Sequence, residues 1–101
     1  MSNQHIICKI NMDTIFSQHA LQQMFKRDIS IEQVKYAIIN GEEIRSYPDD
    51  KPYPGKLLLA FENDLPLHVV IAQNSAENKN IVITAYYPDS NIWIENFKTR
   101  R

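Results

Sequence analysis

The sequence predicts an α+β fold, because two helix-like stretches near its start are followed by four strand-like stretches. The expected order is an N-terminal strand, a two-helix hairpin packed on a mostly antiparallel sheet of four further strands, and a short C-terminal helix. With 101 residues, 44% of them hydrophobic, the chain fits a single domain spanning residues 1–101.

Each predicted helix carries its own start signal. In the first helix Ser17 is the expected N-cap, and Phe16 and Leu21 have the spacing of a hydrophobic staple. The second helix begins with the capping box SIEQ at residues 30–33. It is expected to end at Gly41, because glycine readily adopts the left-handed conformation that often closes a helix.

Strands and turns alternate after the helices. The predicted strands are EEIRSY (42–47), KLLLAFE (56–62), LHVVIAQ (67–73) and IVITAYY (81–87). A tight turn at Asn63 and Asp64 joins the second of these strands to the third. IVITAYY is apolar at nearly every position, which indicates a central strand covered on both faces.

The C-terminal segment, residues 88–101, is expected to form the short helix, with Asp89 or Ser90 as its cap. Trp93 and Phe97 are its large aromatic residues, and we expect them to seal the segment on the domain.

Composition narrows the classes of function. The net charge is −1, so nucleic acid would have to bind a local basic patch. No apolar run reaches the ~20 residues of a membrane span, and no signal peptide is evident. The only cysteine, Cys8, lies in HIICKI (5–10), the expected first strand; we interpret it as buried, and it fits a reducing cytoplasm. Neither a zinc-ligand spacing nor a phosphate-binding glycine loop is present, so we expect no metal and no cofactor.

His19 is the first candidate for chemistry. If Ser17 caps the helix, His19 is its second residue, where the helix dipole disfavours the imidazolium. A neutral imidazole can act as a general base, and the unpaired amides at that helix end attract phosphate. The alternative is a solvated surface histidine, or one that hydrogen-bonds a neighbouring loop.

His68 is the second candidate, because it interrupts an otherwise apolar strand and must find a hydrogen-bond partner there. It is either a structural histidine or a catalytic group at the sheet surface. Antiparallel pairing with the last strand would bring Thr84, Tyr86 or Tyr87 beside it, with the face decided by the register.

Several cations could hold a phosphate, although each alone is commonly a solvated charge: Arg27, Lys98, Arg100 and Arg101. Two histidines, arginines and hydroxyls without a metal motif suit metal-free RNA cleavage. In that reaction a base deprotonates the ribose 2′-hydroxyl, a cation stabilises the phosphorane and an acid protonates the leaving oxygen.

Four motifs together resemble an uncharacterised bacterial family known only as a domain of unknown function. They are FSQHA (16–20), RDIS (27–30), HVV (68–70) and ITAYYPD (83–89). The resemblance covers about residues 16–101. Members of that family are often found beside small zinc-finger antitoxin-like proteins, which implies the toxin half of a toxin–antitoxin pair. The predicted element order is also similar to that of RelE/ParE-type toxins.

The family's characteristic polar residues fall on five positions of this chain: His19, Arg27, His68, Thr84 and Tyr86. Two departures stand out, since the family usually has arginine at the position of Gln23 and glycine at that of Asp28.

The leading hypothesis is a cytoplasmic, metal-independent endoribonuclease of the toxin type, acting on free or ribosome-bound mRNA and covered by a zinc-finger-type antitoxin. His19 would be the base, His68 or Tyr86 the acid, and Arg27 with the tail cations the phosphate contacts. The alternatives are a non-enzymatic module that binds protein or nucleic acid, and an inactive remnant.

Overall fold

Strand β1 opens the described part of the computed structural model, which comprises residues 13–94 and 96–100. The elements in chain order are β1 (Asp13–Phe16), α1 (Gln18–Arg27), α2 (Ile31–Asn40), β2 (Glu42–Tyr47), β3 (Gly55–Glu62), β4 (Leu65–Asn74), a turn of 3-10 helix (Ser75–Glu77) and β5 (Lys79–Tyr86). The predicted strand HIICKI, with Cys8, lies outside the described residues.

Both helices begin as their sequence signals predict. The Ser17 hydroxyl accepts a hydrogen bond from the Ala20 amide at 3.0 Å. At α2 the capping box is complete: Ser30 Oγ accepts from the Gln33 amide at 3.0 Å, and Gln33 Oε1 accepts from the Ser30 amide at 2.8 Å. These bonds satisfy amides that have no partner inside the helix, which is why the two starts could be recognised from sequence.

A left-handed helix end was predicted at Gly41, but the structure has it at Asp28. Asp28 closes α1 with φ of 59°, whereas Gly41 closes α2 with φ of −76° and an extended backbone. Glycine is needed at position 41 because of space, since a Cβ there would overlap the Ala37 carbonyl oxygen and lie 3.1 Å from that of Leu59. Glycine would suit the φ of residue 28 better than aspartate does, because only glycine adopts this φ without steric cost.

The five strands form one mixed sheet in the order β1-β5-β4-β3-β2. Neighbours from β2 to β5 pair antiparallel, and the β3–β4 turn has positive φ at Asn63 and Asp64, as predicted for a tight hairpin. β1 runs parallel to β5, with Asp13 opposite Lys79 and Phe16 opposite Val82. β5 therefore lies inside the sheet, as its apolar sequence indicates.

The fold is α+β, but the predicted layout is wrong in two respects. The sheet is a five-stranded mixed sheet, because β1 joins it in parallel beside β5. Among the described tail residues there is no helix; they form turns and one isolated bridge between Trp93 and Arg100. The Asp89 and Asn96 side chains accept hydrogen bonds from the Asn91 and Lys98 amides, and such bonds compete with helix formation. The prediction of a RelE-like arrangement, which rested on the expected element order, is therefore wrong.

The two faces of the sheet are covered differently. α1 packs mainly on β5, and α2 on β3 and β4. We call this side the helix face; its buried sheet residues include Leu58, Val69 and Ala85. The opposite side, named the tail face, carries Leu59, His68 and Tyr86, and the C-terminal segment lies across it.

No helix within the described ranges is long and apolar enough to cross a membrane.

Candidate active site

His68 and Tyr86 form a hydrogen-bonded pair at the centre of the tail face. They are direct cross-strand partners on β4 and β5, and His68 has no exposed surface. His68 Nε2 lies 2.8 Å from the Phe97 carbonyl oxygen, and Nδ1 lies 3.2 Å from the Tyr86 hydroxyl oxygen. Because a carbonyl can only accept, Nε2 carries the proton and Nδ1 accepts from the Tyr86 hydroxyl. Burial lowers the pKa of His68, with the Phe97 carbonyl opposing that effect, so the neutral imidazole is favoured.

A β-bulge decides that Tyr86 faces His68. Val82 pairs with Ile71, but Thr84 pairs with Val70, so Ile83 is an extra residue on β5. If the same chain continued the register of Val82 and Ile71 without a bulge, Tyr86 would be opposite Leu67 and would face the helices, because side chains alternate along a strand.

The C-terminal segment packs over this pair on the tail face. The Trp93 ring packs edge-on against the His68 ring with centroids 4.6 Å apart, and Phe97 packs against Phe61 at 6.3 Å. The sealing role predicted for Trp93 and Phe97 is therefore confirmed. The same segment supplies the carbonyl that fixes the tautomer of His68.

Three arginines lie near Tyr86, the partly exposed member of the pair. Arg45 on β2 and Arg100 in the tail each place the guanidinium carbon 5.7 Å from the Trp93 ring centroid. Arg27, at the end of α1, donates to the Ala85 carbonyl at 2.8 Å and to the Thr84 hydroxyl at 3.3 Å. It thus reaches the part of β5 that extends beyond the end of β1.

The arginine charges act on the Tyr86 hydroxyl. Burial is the main cause that raises its pKa, and Tyr47 raises it further, while Arg100, Arg27 and Arg45 lower it. We call these five residues the Arg–Tyr cluster. The three ion pairs found within residues 13–94 and 96–100 all involve lysines, so the arginines form no ion pair with a carboxylate there.

The structure brings together most, but not all, of the residues predicted for the site. Arg27, Tyr86 and Arg100 belong to the Arg–Tyr cluster, and Thr84 and His68 hydrogen-bond to its members Arg27 and Tyr86.

Of the other predicted residues, Arg101 lies outside the described part of the chain, and His19 and Lys98 lie elsewhere. His19 is exposed on α1, on the helix side of the sheet, so the two histidines share no cleft. Lys98 pairs with Glu42 at 3.0 Å, so its charge is matched by a carboxylate.

Sequence reasoning missed Arg45 and Tyr47. Both lie on β2, two residues apart, and so project from the same face. Their pairing opposite Leu57 and Gly55 places them on the tail face, and the Tyr47 ring passes over Gly55. The alternation in EEIRSY was a signal for a shared face, but it could not show that β2 occupies the sheet edge nearest the tail.

A family model for a domain of unknown function, DUF4258, matches residues 16–87. The chain belongs to this family. The match contains α1, α2, all of β2–β5 and the His68–Tyr86 pair of this DUF4258 domain, while Trp93, Phe97 and Arg100 follow it. Neither a curated protein nor a solved structure matched the chain.

Within the described part of this DUF4258 domain, no three histidine, cysteine, aspartate or glutamate side chains gather in a way that could hold a metal ion.

Proposed function

We propose that this DUF4258 protein binds the phosphodiester backbone of RNA at the Arg–Tyr cluster and cleaves it without a metal. The observation that carries the proposal is the Tyr86 hydroxyl. It donates to the buried imidazole of His68, and three arginines that form no ion pair among the described residues lie close enough to lower its pKa. The proposed role as the toxin half of a toxin–antitoxin pair, with a zinc-finger-type antitoxin, rests on the resemblance alone.

Binding would use the charge of the cluster. Guanidinium groups hold phosphate oxygens through paired hydrogen bonds, and Arg27, Arg45 and Arg100 come from three different elements around Tyr86. This local concentration of charge compensates for a net charge of −1 over the whole chain. Three phosphate contacts on single-stranded RNA correspond to a slope of about −2 in a plot of log K against log salt concentration.

The proton transfer would run through the pair. The Tyr86 oxygen accepts the proton of a ribose 2′-hydroxyl while its own proton moves to His68 Nδ1. The 2′-oxygen then bonds to the adjacent phosphorus, the bond from phosphorus to the 5′-oxygen breaks, and that oxygen takes a proton from a water molecule. The hydroxide left by that water takes back, through Tyr86, the proton held on His68 Nδ1, which restores the starting state. The products are a 2′,3′-cyclic phosphate and a 5′-hydroxyl. The Phe97 carbonyl, 2.8 Å from Nε2, orients the ring and stabilises the imidazolium that forms.

The test is cleavage of a labelled single-stranded RNA by the purified protein in EDTA. Tyr86→Phe should lower the rate by about 10²–10⁴, the usual contribution of a positioned acid or base. Tyr87→Phe is the matched control, because the neighbouring hydroxyl accepts from Gln33 on the helix side of the sheet and should not matter to cleavage. His19→Ala distinguishes Tyr86 from His19 as the general base. A large loss of activity in that variant would show that His19 is the base.

Two substitutions of basic residues, one inside the cluster and one outside it, test the binding step. Arg45→Gln should weaken RNA binding and flatten its salt dependence by about one phosphate contact, whereas Lys35→Gln, on the exposed side of α2, should not. Equal effects of the two substitutions would contradict specific binding at the cluster.

The second candidate function is binding of RNA without cleavage. It is favoured by the complete burial of His68 and by the fact that both its nitrogens already have partners, as in a structural histidine. It predicts that wild-type protein leaves RNA intact in the same assay while Arg45→Gln still weakens binding.

A further inference from the structure

A cavity lies on the helix face, between α2 and the hairpin of β3 and β4. Its volume is 360 Å³, which suits a small ligand or one long side chain. Buried Ala60 and Leu67 lie among the lining residues and form an apolar floor, and Leu65 stands at the open end. Because the sheet separates it from the Arg–Tyr cluster, this cavity is independent of the proposed RNA site.

Two tyrosines line the cavity, and the packing of α2 holds one of them in place. Gln33 Nε2 donates to the Tyr87 hydroxyl at 3.0 Å, while the carbonyl of the same amide accepts from the Ser30 amide at 2.8 Å. The capping box of α2 therefore orients the Tyr87 side chain. Tyr36, 43% exposed, is three residues beyond Gln33 on α2 and so on the same face of the helix.

The charge of the cavity has one sign. Glu62 is the one acidic residue in the lining, and no lysine or arginine stands opposite it there. Glu62 takes part in none of the ion pairs found among the described residues. A carboxylate beside aromatic rings over an apolar floor is complementary to a cation on an apolar stem.

We infer that this cavity binds an organic cation, an alkylammonium or guanidinium group, with Glu62 as its counter-ion and Tyr36 and Tyr87 as its aromatic walls. The cation could belong to a free amine or to a basic side chain of a peptide, because the recognition chemistry is the same for both.

The experiment titrates spermidine and, separately, a capped Gly-Arg-Gly peptide into the isotopically labelled full-length protein and follows its amide NMR signals. We expect saturable shifts at millimolar concentration around residues 33–36, 60–67 and 87. Tighter binding of spermidine assigns the site to free amines, and tighter binding of the peptide assigns it to basic side chains. Absence of saturable shifts at these positions with both probes overturns the inference.

Substitutions separate this site from general attraction of cations to acidic groups. Glu62→Gln should weaken binding about three- to fivefold, whereas Asp49→Asn, which removes an exposed carboxylate from the loop after β2, should not. Tyr36→Leu should weaken it about threefold, and Tyr36→Phe, which keeps the ring, should retain it. Equal affinity of Glu62→Gln and wild type, with both folded by circular dichroism, would refute the role of the carboxylate.

Discussion

Replacing Tyr86 by phenylalanine tests the central contact of the tail face through stability, independently of any activity. The substitution keeps the ring and removes only the hydroxyl that donates to His68 Nδ1. Because His68 is 0% exposed, water cannot replace the lost donor, and the nitrogen is left buried without a partner.

The size of the effect follows from that burial. Leaving a buried acceptor unsatisfied costs about 1–3 kcal/mol, and because the His68 ring is completely buried, we expect a loss of about 2 kcal/mol. For a domain of about this length, that loss lowers the melting temperature by roughly 10 °C. Tyr87→Phe provides the comparison, since Tyr87 also makes one hydrogen bond, at 3.0 Å, but to the half-buried and water-accessible Gln33; we expect a loss of about 0.5 kcal/mol there.

Urea unfolding at pH 7.5, followed by tryptophan fluorescence and circular dichroism, measures both free energies. The reasoning is refuted if Tyr86→Phe costs no more than Tyr87→Phe, because the buried nitrogen would then not depend on the Tyr86 hydroxyl. A changed denaturant slope in either variant would show that the comparison is between different unfolded or native states.

Three further predictions concern other parts of the chain. The His68 pKa is lowered in the folded state, so the unfolded chain takes up this proton first; the free energy of unfolding should fall as the pH drops below 6.5, and an NMR titration should place the His68 midpoint below that value. A midpoint at or above 6.5 would contradict the burial argument. Asp28→Gly should raise the free energy of unfolding by about 0.5–1 kcal/mol, because glycine adopts the left-handed φ of residue 28 without steric cost. Asn40→Gly, at the last residue of α2, should lower it, and changes of the same sign in the two variants would argue against the cap. Gly41→Ala should lower the free energy of unfolding by about 2–3 kcal/mol, because its Cβ would overlap the Ala37 carbonyl oxygen. A melting temperature equal to that of the wild type would show that the backbone there is less crowded.

Features that depend on neighbours in sequence were predictable. The caps at Ser17 and Ser30, the hairpin turn at Asn63 and Asp64, and the interior position of β5 all follow from residues within a few positions of one another. The C-terminal helix was wrongly predicted because a local pattern with a cap and spaced aromatic residues was outweighed by Asx hydrogen bonds and by contacts of Trp93 and Phe97 with the sheet.

The candidate site was only partly predictable. A histidine in an apolar strand had to have a partner, and Tyr86 was one of the predicted candidates. The β-bulge at Ile83 decides which residue of β5 faces His68, and local sequence did not predict it. Arg45 was missed because its role depends on where β2 lies in the sheet, and His19 was favoured by its position in a helix without knowledge of which face that helix covers.

The amino-acid sequence by itself determined the helix starts, the strand-forming stretches, the α+β class and membership of the DUF4258 family. Only the tertiary structure decided that His68 meets Tyr86, 18 positions away, and the Phe97 carbonyl, 29 positions away, and that three arginines gather around them. The reason is physical: caps and turns are satisfied by adjacent atoms, whereas a buried imidazole is satisfied by whichever distant groups the register and the docked tail bring within hydrogen-bond distance.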